Sequence, residues 1–172
     1  MIPDRITTKR LVLRWAQASD LAALHAILSQ PRAMRYWSTP AHASMAETEN
    51  WLARMIGRPM DESDDFLIVH QGQVIGKAGA WKMPEVGFLL HPDHWGKGFA
   101  HEAMTAVVAH LFAHHPTPHL VAEADPRNAA SLGLLARLGF VETHRAQNTL
   151  QWGDEWCDSV YLRLDRATPP RT

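Results

Sequence analysis

The 172-residue sequence holds a single cysteine, Cys157, so no disulfide forms within the chain and no metal cage of cysteine ligands can be built. An excess of one charge is missing as well. Lys and Arg number 17 against 18 Asp and Glu, a formal net charge of -1, which offers no basic field to a phosphate backbone and excludes a typical nucleic-acid binder. No apolar run approaches the ~20 residues that cross a bilayer, and the opening Met1-Ile-Pro-Asp-Arg lacks the apolar segment of a secretory signal. A cytoplasmic protein that binds neither membrane nor nucleic acid is expected. What the chain does have is apolar material: 46% of its residues, enough for one sizeable core at this length, and too much for a disordered or collagen-like chain.

Periodicity divides the chain into alternating elements. Leu11-Val-Leu-Arg14 reads as a strand, and Asp20 as the cap of a helix in which Leu21, Leu24, Ile27 and Leu28 share a face up to Pro31. Ser44 and Glu47 form a capping box ahead of Trp51, Leu52, Met55 and Ile56. Strands follow at 66–69, 74–81 and 85–90, the first two joined through Gly72. The longest helix starts at Phe99, runs to about His114 and carries Ala100, Ala103, Val107 and Leu111 on one stripe. A strand at 119–123 comes next, and a strand–helix–strand passage makes that pair parallel. Asn128 then caps a short helix ending near Gly139, and strands at 140–144 and 159–164 close the sheet around a turn at Gly153-Asp-Glu155. Residues 1–172 form one domain with a frayed tail from about 167.

The segment His91-Pro-Asp-His-Trp-Gly-Lys-Gly-Phe-Ala100 lies between a strand end and the start of the longest helix. Two glycines let successive backbone N–H groups turn toward one point, and a helix N-terminus adds about half a positive charge. The segment is thus a diphosphate nest or merely a tight turn. It fits neither Gly-x-Gly-x-x-Gly nor Gly-x-x-x-x-Gly-Lys-Ser/Thr, which counts against dinucleotide and P-loop nucleotide binding. One strand later stand Asn128-Ala-Ala-Ser131 and Leu138-Gly-Phe140. Together the two segments resemble the pyrophosphate loop and the Asn-x-x-Ser and Leu-Gly-Phe segment of the GNAT superfamily of acetyl-CoA-dependent N-acetyltransferases. Thr8-Lys-Arg-Leu-Val-Leu-Arg14 and the Trp-Gly-Lys-Gly form of the loop are similar to its RimJ/RimL branch.

The resemblance covers nearly the whole chain. It implies an α/β (α+β) fold: a mixed, mostly antiparallel central sheet of about six to seven strands, with one parallel splayed pair and helices on both faces. It implies acetyl-CoA as cofactor and a primary amine as acceptor, a peptide N-terminal α-amine or a small-molecule amine, attacking directly in a ternary complex. A monomer or homodimer is expected. The implied cofactor contacts are Phe88, Leu89, Leu90, Trp95, Gly96, Lys97, Gly98, Phe99, Ala100, His101, Asn128 and Ser131, with the Leu90 N–H toward the thioester oxygen. Leu135 stands where many members carry a tyrosine that protonates the leaving thiolate, so that role passes to Ser131. The missing tyrosine also leaves open a catalytically weak coenzyme A sensor or interaction module of the same fold.

Glu85, at the start of the strand leading to the loop, is the candidate base, or else a solvent-facing strand carboxylate. Tyr36, Trp37 and Trp81 gather with Glu85 on the implied substrate side, with Trp51, Trp152 and Trp156 nearby; these aromatics hold a cation or pack the core. Asp154, Glu155 and Asp158 attract a cationic amine or keep a turn hydrated. His110, His114 and His115 could place two ligands on one helix face, but with no third ligand evident they read as a solvated helix end and no metal site is expected.

Overall fold

A computed structural model describes residues 1–167, so the tail expected from about 167 lies almost wholly outside the described residues. Eight strands form one sheet in the order β1-β2-β3-β4-β5-β6-β8-β7. The strands are β1 (Arg5–Thr7), β2 (Val12–Arg14), β3 (Asp64–His70), β4 (Gln73–Lys82), β5 (Glu85–Leu90), β6 (His119–Ala124), β7 (Val141–Trp152) and β8 (Glu155–Asp165). Among the described residues only β5 and β6 run parallel, because the long helix α4 (Phe99–His114) carries the chain back across the sheet between them. The strand beyond the expected six to seven is β1, which precedes the strand read at 11–14.

Alternation along the strands assigns each face its helices. Phe66 and Ile68 of β3, with Ala78 and Ala80 of β4, pack against Ala103, Met104, Val107 and Leu111 of α4 and against Leu134 and Leu135 of α5 (Ala129–Arg137). Leu67 and Leu89 point the other way. They meet Leu24, Ile27 and Leu28 of α1 (Leu21–Leu28), Met34 of α2 (Pro31–Met34) and Leu52 of α3 (Met45–Gly57). Each fully buried side chain of this kind contributes about 1.5–3 kcal/mol, so two apolar layers hold the sheet from both sides. The short helix α2 begins at Pro31, the residue at which the first helix is expected to end.

The histidine run departs from expectation. His114 is exposed, but His110 and His115 are buried, and each sets its Nε2 against Oδ2 of Asp64, at 2.7 and 2.8 Å. The last turn of α4 covers the start of β3, where a buried carboxylate needs donors, and the two imidazoles supply them. The final hairpin is also longer than expected. Its strand β7 continues to Trp152 with most side chains exposed, so no core pattern marks its extent in the sequence.

Candidate active site at the strand fork

Strands β5 and β6 pair at a single position, Glu85 opposite Val121, where the Val121 N–H bonds the Pro84 carbonyl at 3.0 Å. Beyond it they part. The His91 N–H bonds the Ile75 carbonyl, and antiparallel pairs alternate, so Leu89 and Gly87 direct their main-chain groups to β4 while Phe88 and Leu90 direct theirs into the fork. Trp95 sends its indole N–H back to the Leu90 carbonyl at 3.0 Å. The Leu90 N–H stays within the fork.

A cavity of about 920 Å³ fills this fork, and Phe88, Leu89, Leu90, Trp95, Gly96, Gly98, Phe99, Ala100, His101, Asn128 and Ser131 all line it. Gly96 and Gly98 have φ of 72° and 78°, a left-handed conformation in which glycine is favoured, and a Cβ at Gly96 would meet nothing within 4 Å. That bare loop feeds the N-terminus of the 16-residue α4. An anion in front of it faces N–H groups and the positive end of the helix dipole. Lys97 is the exception among the expected contacts: it is absent from the cavity wall, and its Nζ bonds the Asp93 carbonyl at 2.9 Å. Asn128 caps α5 by accepting the Ser131 N–H at 3.2 Å, which leaves its amide donors available. Leu135, at the position of the missing tyrosine, is core.

A second cavity of about 490 Å³ adjoins the first; Arg35, Tyr36, Trp37, Gly87 and Glu123 line both. Trp81 and Glu85 line the second, with Trp51 and Trp152; Trp156 does not, and stands out in solvent. The floor is bare at Gly87, where a Cβ would meet nothing nearer than 4.0 Å. Burial raises the Glu85 carboxyl above its usual range, and the nearby Glu123 raises it further, against the Trp81 indole and Lys82. Glu123 went unseen in the sequence. Its partner is Ser159, which donates to the carboxylate and is itself within 2.5 Å of the Thr149 hydroxyl. The parallel pairing of Glu85 with Val121 is the signal that would have found it, because the residue two beyond Val121 shares its face.

At the far end of the floor, Lys77 pairs with Asp65 at 2.8 Å, both side chains almost wholly buried, and the ammonium lies 5.3 Å from the Trp37 ring centre. Burial raises the Asp65 carboxyl against the opposing pull of Lys77 and Arg58. Across the cavity, Arg127 binds Asp125 at 2.7 Å and Glu155 at 2.8 Å, tying the start of β8 to the entry of α5. Glu155 is therefore engaged in an ion pair, while Asp158 lines the cavity and accepts the Asn148 N–H at 2.9 Å. No group of three or more His, Cys, Asp or Glu suited to a metal occurs among the described residues, and no described helix is long and apolar enough to cross a membrane.

Comparison with known proteins agrees with this geometry. A [ribosomal protein uS5]-alanine N-acetyltransferase of Escherichia coli is 28% identical over 98% of this chain and 93% of its own length. An L-amino acid N-acyltransferase of the same organism, MnaT, is 27% identical over 92% and 96%. The structure of RimL, a ribosomal-protein α-N-acetyltransferase in complex with coenzyme A, superimposes with a TM-score of 0.80 at 18% identity, over 95% of this chain and 97% of that one. The family described as acetyltransferase (GNAT) domain matches residues 10–141, most of the chain and both walls of the fork, and the protein belongs to that family of N-acetyltransferases.

Proposed function

We propose that this enzyme transfers the acetyl group of acetyl-CoA to a primary amine by direct attack in a ternary complex, the acceptor being a peptide N-terminal α-amine or a small-molecule amine. One observation carries the reading: two adjoining cavities share Glu123 in their walls, the first running along Phe88 and Leu90, whose N–H groups turn away from β4, and the second holding Glu85. Acetyl-CoA supplies an activated acyl carbon with a thiolate leaving group. The loop of Gly96, Gly98 and Phe99 holds its diphosphate by main-chain N–H groups, and the Asn128 amide meets the extended arm. The Leu90 N–H, aimed into the fork, stabilises the developing oxyanion. Ser131, one turn into α5, gives a proton to the departing sulfur.

Glu85 is the base, directly or through water, with Glu123 as the neighbouring charge that keeps its proton affinity up. The work asked of it depends on the amine. Deprotonating an α-amine of pKa about 8 at pH 7 costs about 1.4 kcal/mol, whereas an alkylamine near 10.4 costs about 4.6 kcal/mol.

The test is a thermal-shift titration with acetyl-CoA beside NADH and ATP, followed by free-thiol release over peptide and small-amine panels. Selective stabilisation by acetyl-CoA, at about 2.7 kcal/mol when the ligand is ~100 times its Kd, together with thiol release by one amine class, is expected. Stabilisation without thiol release from any amine would instead favour the coenzyme A-binding module.

A further inference from the structure

The N-terminal arm reaches the cofactor loop from behind. Arg10, between β1 and β2, directs its Nε to Oε2 of Glu102 at 2.6 Å and its Nη1 to the Lys97 carbonyl at 2.8 Å. Its backbone N–H and the Thr8 hydroxyl both bond Oε1 of the same glutamate, at 2.7 and 2.6 Å. The guanidinium lies 4.4 Å from the Phe99 ring centre, and its Nη2 is 3.3 Å from where a Gly98 Cβ would stand. Arg10 thus touches three consecutive residues of the loop, and Glu102 belongs to the first turn of α4.

From this we infer that Arg10, fixed by Glu102, is the positioning residue of the diphosphate site: it orients the Lys97–Gly98 peptide and cancels the one acidic charge in the first turn of the binding helix. The inference rests on assigning the loop to the coenzyme's diphosphate. Two physical arguments support it. A trans peptide is planar, with its C=O and N–H pointing in opposite directions. Holding the Lys97 carbonyl toward Arg10 therefore aims the Gly98 N–H away from Arg10, to the front of the loop. Glu102, moreover, favours the helix terminus on its own but opposes an incoming anion there. Paired with Arg10, it anchors the loop without that repulsion.

The experiment is calorimetric binding of coenzyme A and of pantetheine, which lacks the diphosphate, to the wild-type protein and to Arg10→Met, Arg10→Lys and Glu102→Gln. Thermal melting without ligand serves as the folding control. Arg10→Met is expected to weaken coenzyme A by about tenfold or more while pantetheine changes by less than about twofold. Arg10→Lys restores little, since one ammonium cannot hold the carboxylate and the carbonyl in the same fork geometry. Glu102→Gln loosens the anchor but also removes the repelling charge, so it is expected to weaken coenzyme A less than Arg10→Met does, and it serves if Arg10→Met fails to fold. Equal weakening of both ligands, unchanged coenzyme A affinity, or full rescue by lysine would overturn the inference. Tight coenzyme A binding without turnover on any amine overturns only the reading of the reaction.

Discussion

Removing the ammonium of Lys77 tests how the acceptor floor is held. Lys77 and Asp65 have side chains only 3% and 5% exposed and lie 2.8 Å apart, so Lys77→Met leaves a carboxylate buried without its partner. Breaking such a pair from one side costs about 3–5 kcal/mol. At roughly 2–4 °C per kcal/mol for a domain of this size, the melting temperature should fall by about 6–20 °C. The double variant Lys77→Met/Asp65→Asn should recover much of that loss, because no charge is then stranded. The sign of the pH dependence follows from the carboxyl. Burial already raises the Asp65 pKa against the pull of Lys77, and removing Lys77 raises it further. A carboxyl that binds its proton more tightly when folded gains stability as pH falls toward its folded pKa. The Lys77→Met penalty should therefore shrink between pH 8 and pH 5 in urea unfolding, at unchanged m-value. A loss below ~1 kcal/mol, or one equal at the two pH values, would refute the reasoning, since it would mean that water reaches Asp65 and screens it.

Three further outcomes are expected. Ser131→Ala should lower kcat by about 10²–10⁴-fold with coenzyme A affinity retained, and unchanged turnover would remove Ser131 from the mechanism. Glu85→Gln should lower kcat/KM by up to about 10²-fold or more for an alkylamine, and less for an α-amine. It should also flatten the acid limb of the pH profile, if Glu85, raised through burial and Glu123, is the base proposed; a limb that persists would pass the role to Glu123. At Asp64 burial raises the carboxyl pKa, but hydrogen bonds from His110 and His115 outweigh it and the net shift is downward. The stability this contributes is present above the usual carboxylate pKa of about 3.9 and is lost as pH falls through the lower folded value. Asp64→Asn should abolish that acid-side slope in urea midpoints measured from pH 5 down to pH 2.

Features read correctly from the sequence are those whose cause is local. Ser44 accepts the Glu47 N–H at 3.3 Å while Glu47 takes the Ala43 N–H at 3.1 Å, so that cap needs five consecutive residues and nothing else. Asn128, three residues before the N–H it accepts, is legible for the same reason. Asp20 shows where the local rule fails. It precedes α1 but makes no side-chain cap there, because its oxygens are turned to Arg14, at 2.7 and 2.9 Å, and to the Gln17 N–H, at 2.8 Å. Glu102 and Arg10 lie 92 positions apart, and His115 and Asp64 lie 51 apart. No periodicity encodes those pairs. They exist because the path of α4 brings its first turn beside the N-terminal arm and its last turn over β3. The length of β7 was hidden for a different reason: an exposed edge strand buries little, so neither face carries an apolar signal.

The contrast between floor and roof of the acceptor cavity says where selectivity resides. The floor is sheet, with Asp65 and Lys77 desolvated and Glu123 held by Ser159; moving Asp65 or Lys77 breaks a buried ion pair, and moving Glu123 breaks a partly buried hydrogen bond. Opposite the floor, Asp125 lines the cavity and is held from outside its wall by Arg127; the further link from Arg127 to Glu155 joins side chains 46% and 41% exposed, and pairs of that kind are worth about 0–1 kcal/mol. Different acceptors can be accommodated by adjusting the roof at small cost, but none by rearranging the floor. On the proposed reading, the amine would meet Glu85 and Glu123 above Gly87, and discrimination between a peptide terminus and a small amine would fall to Trp37, Trp81 and Trp152 at the cavity walls.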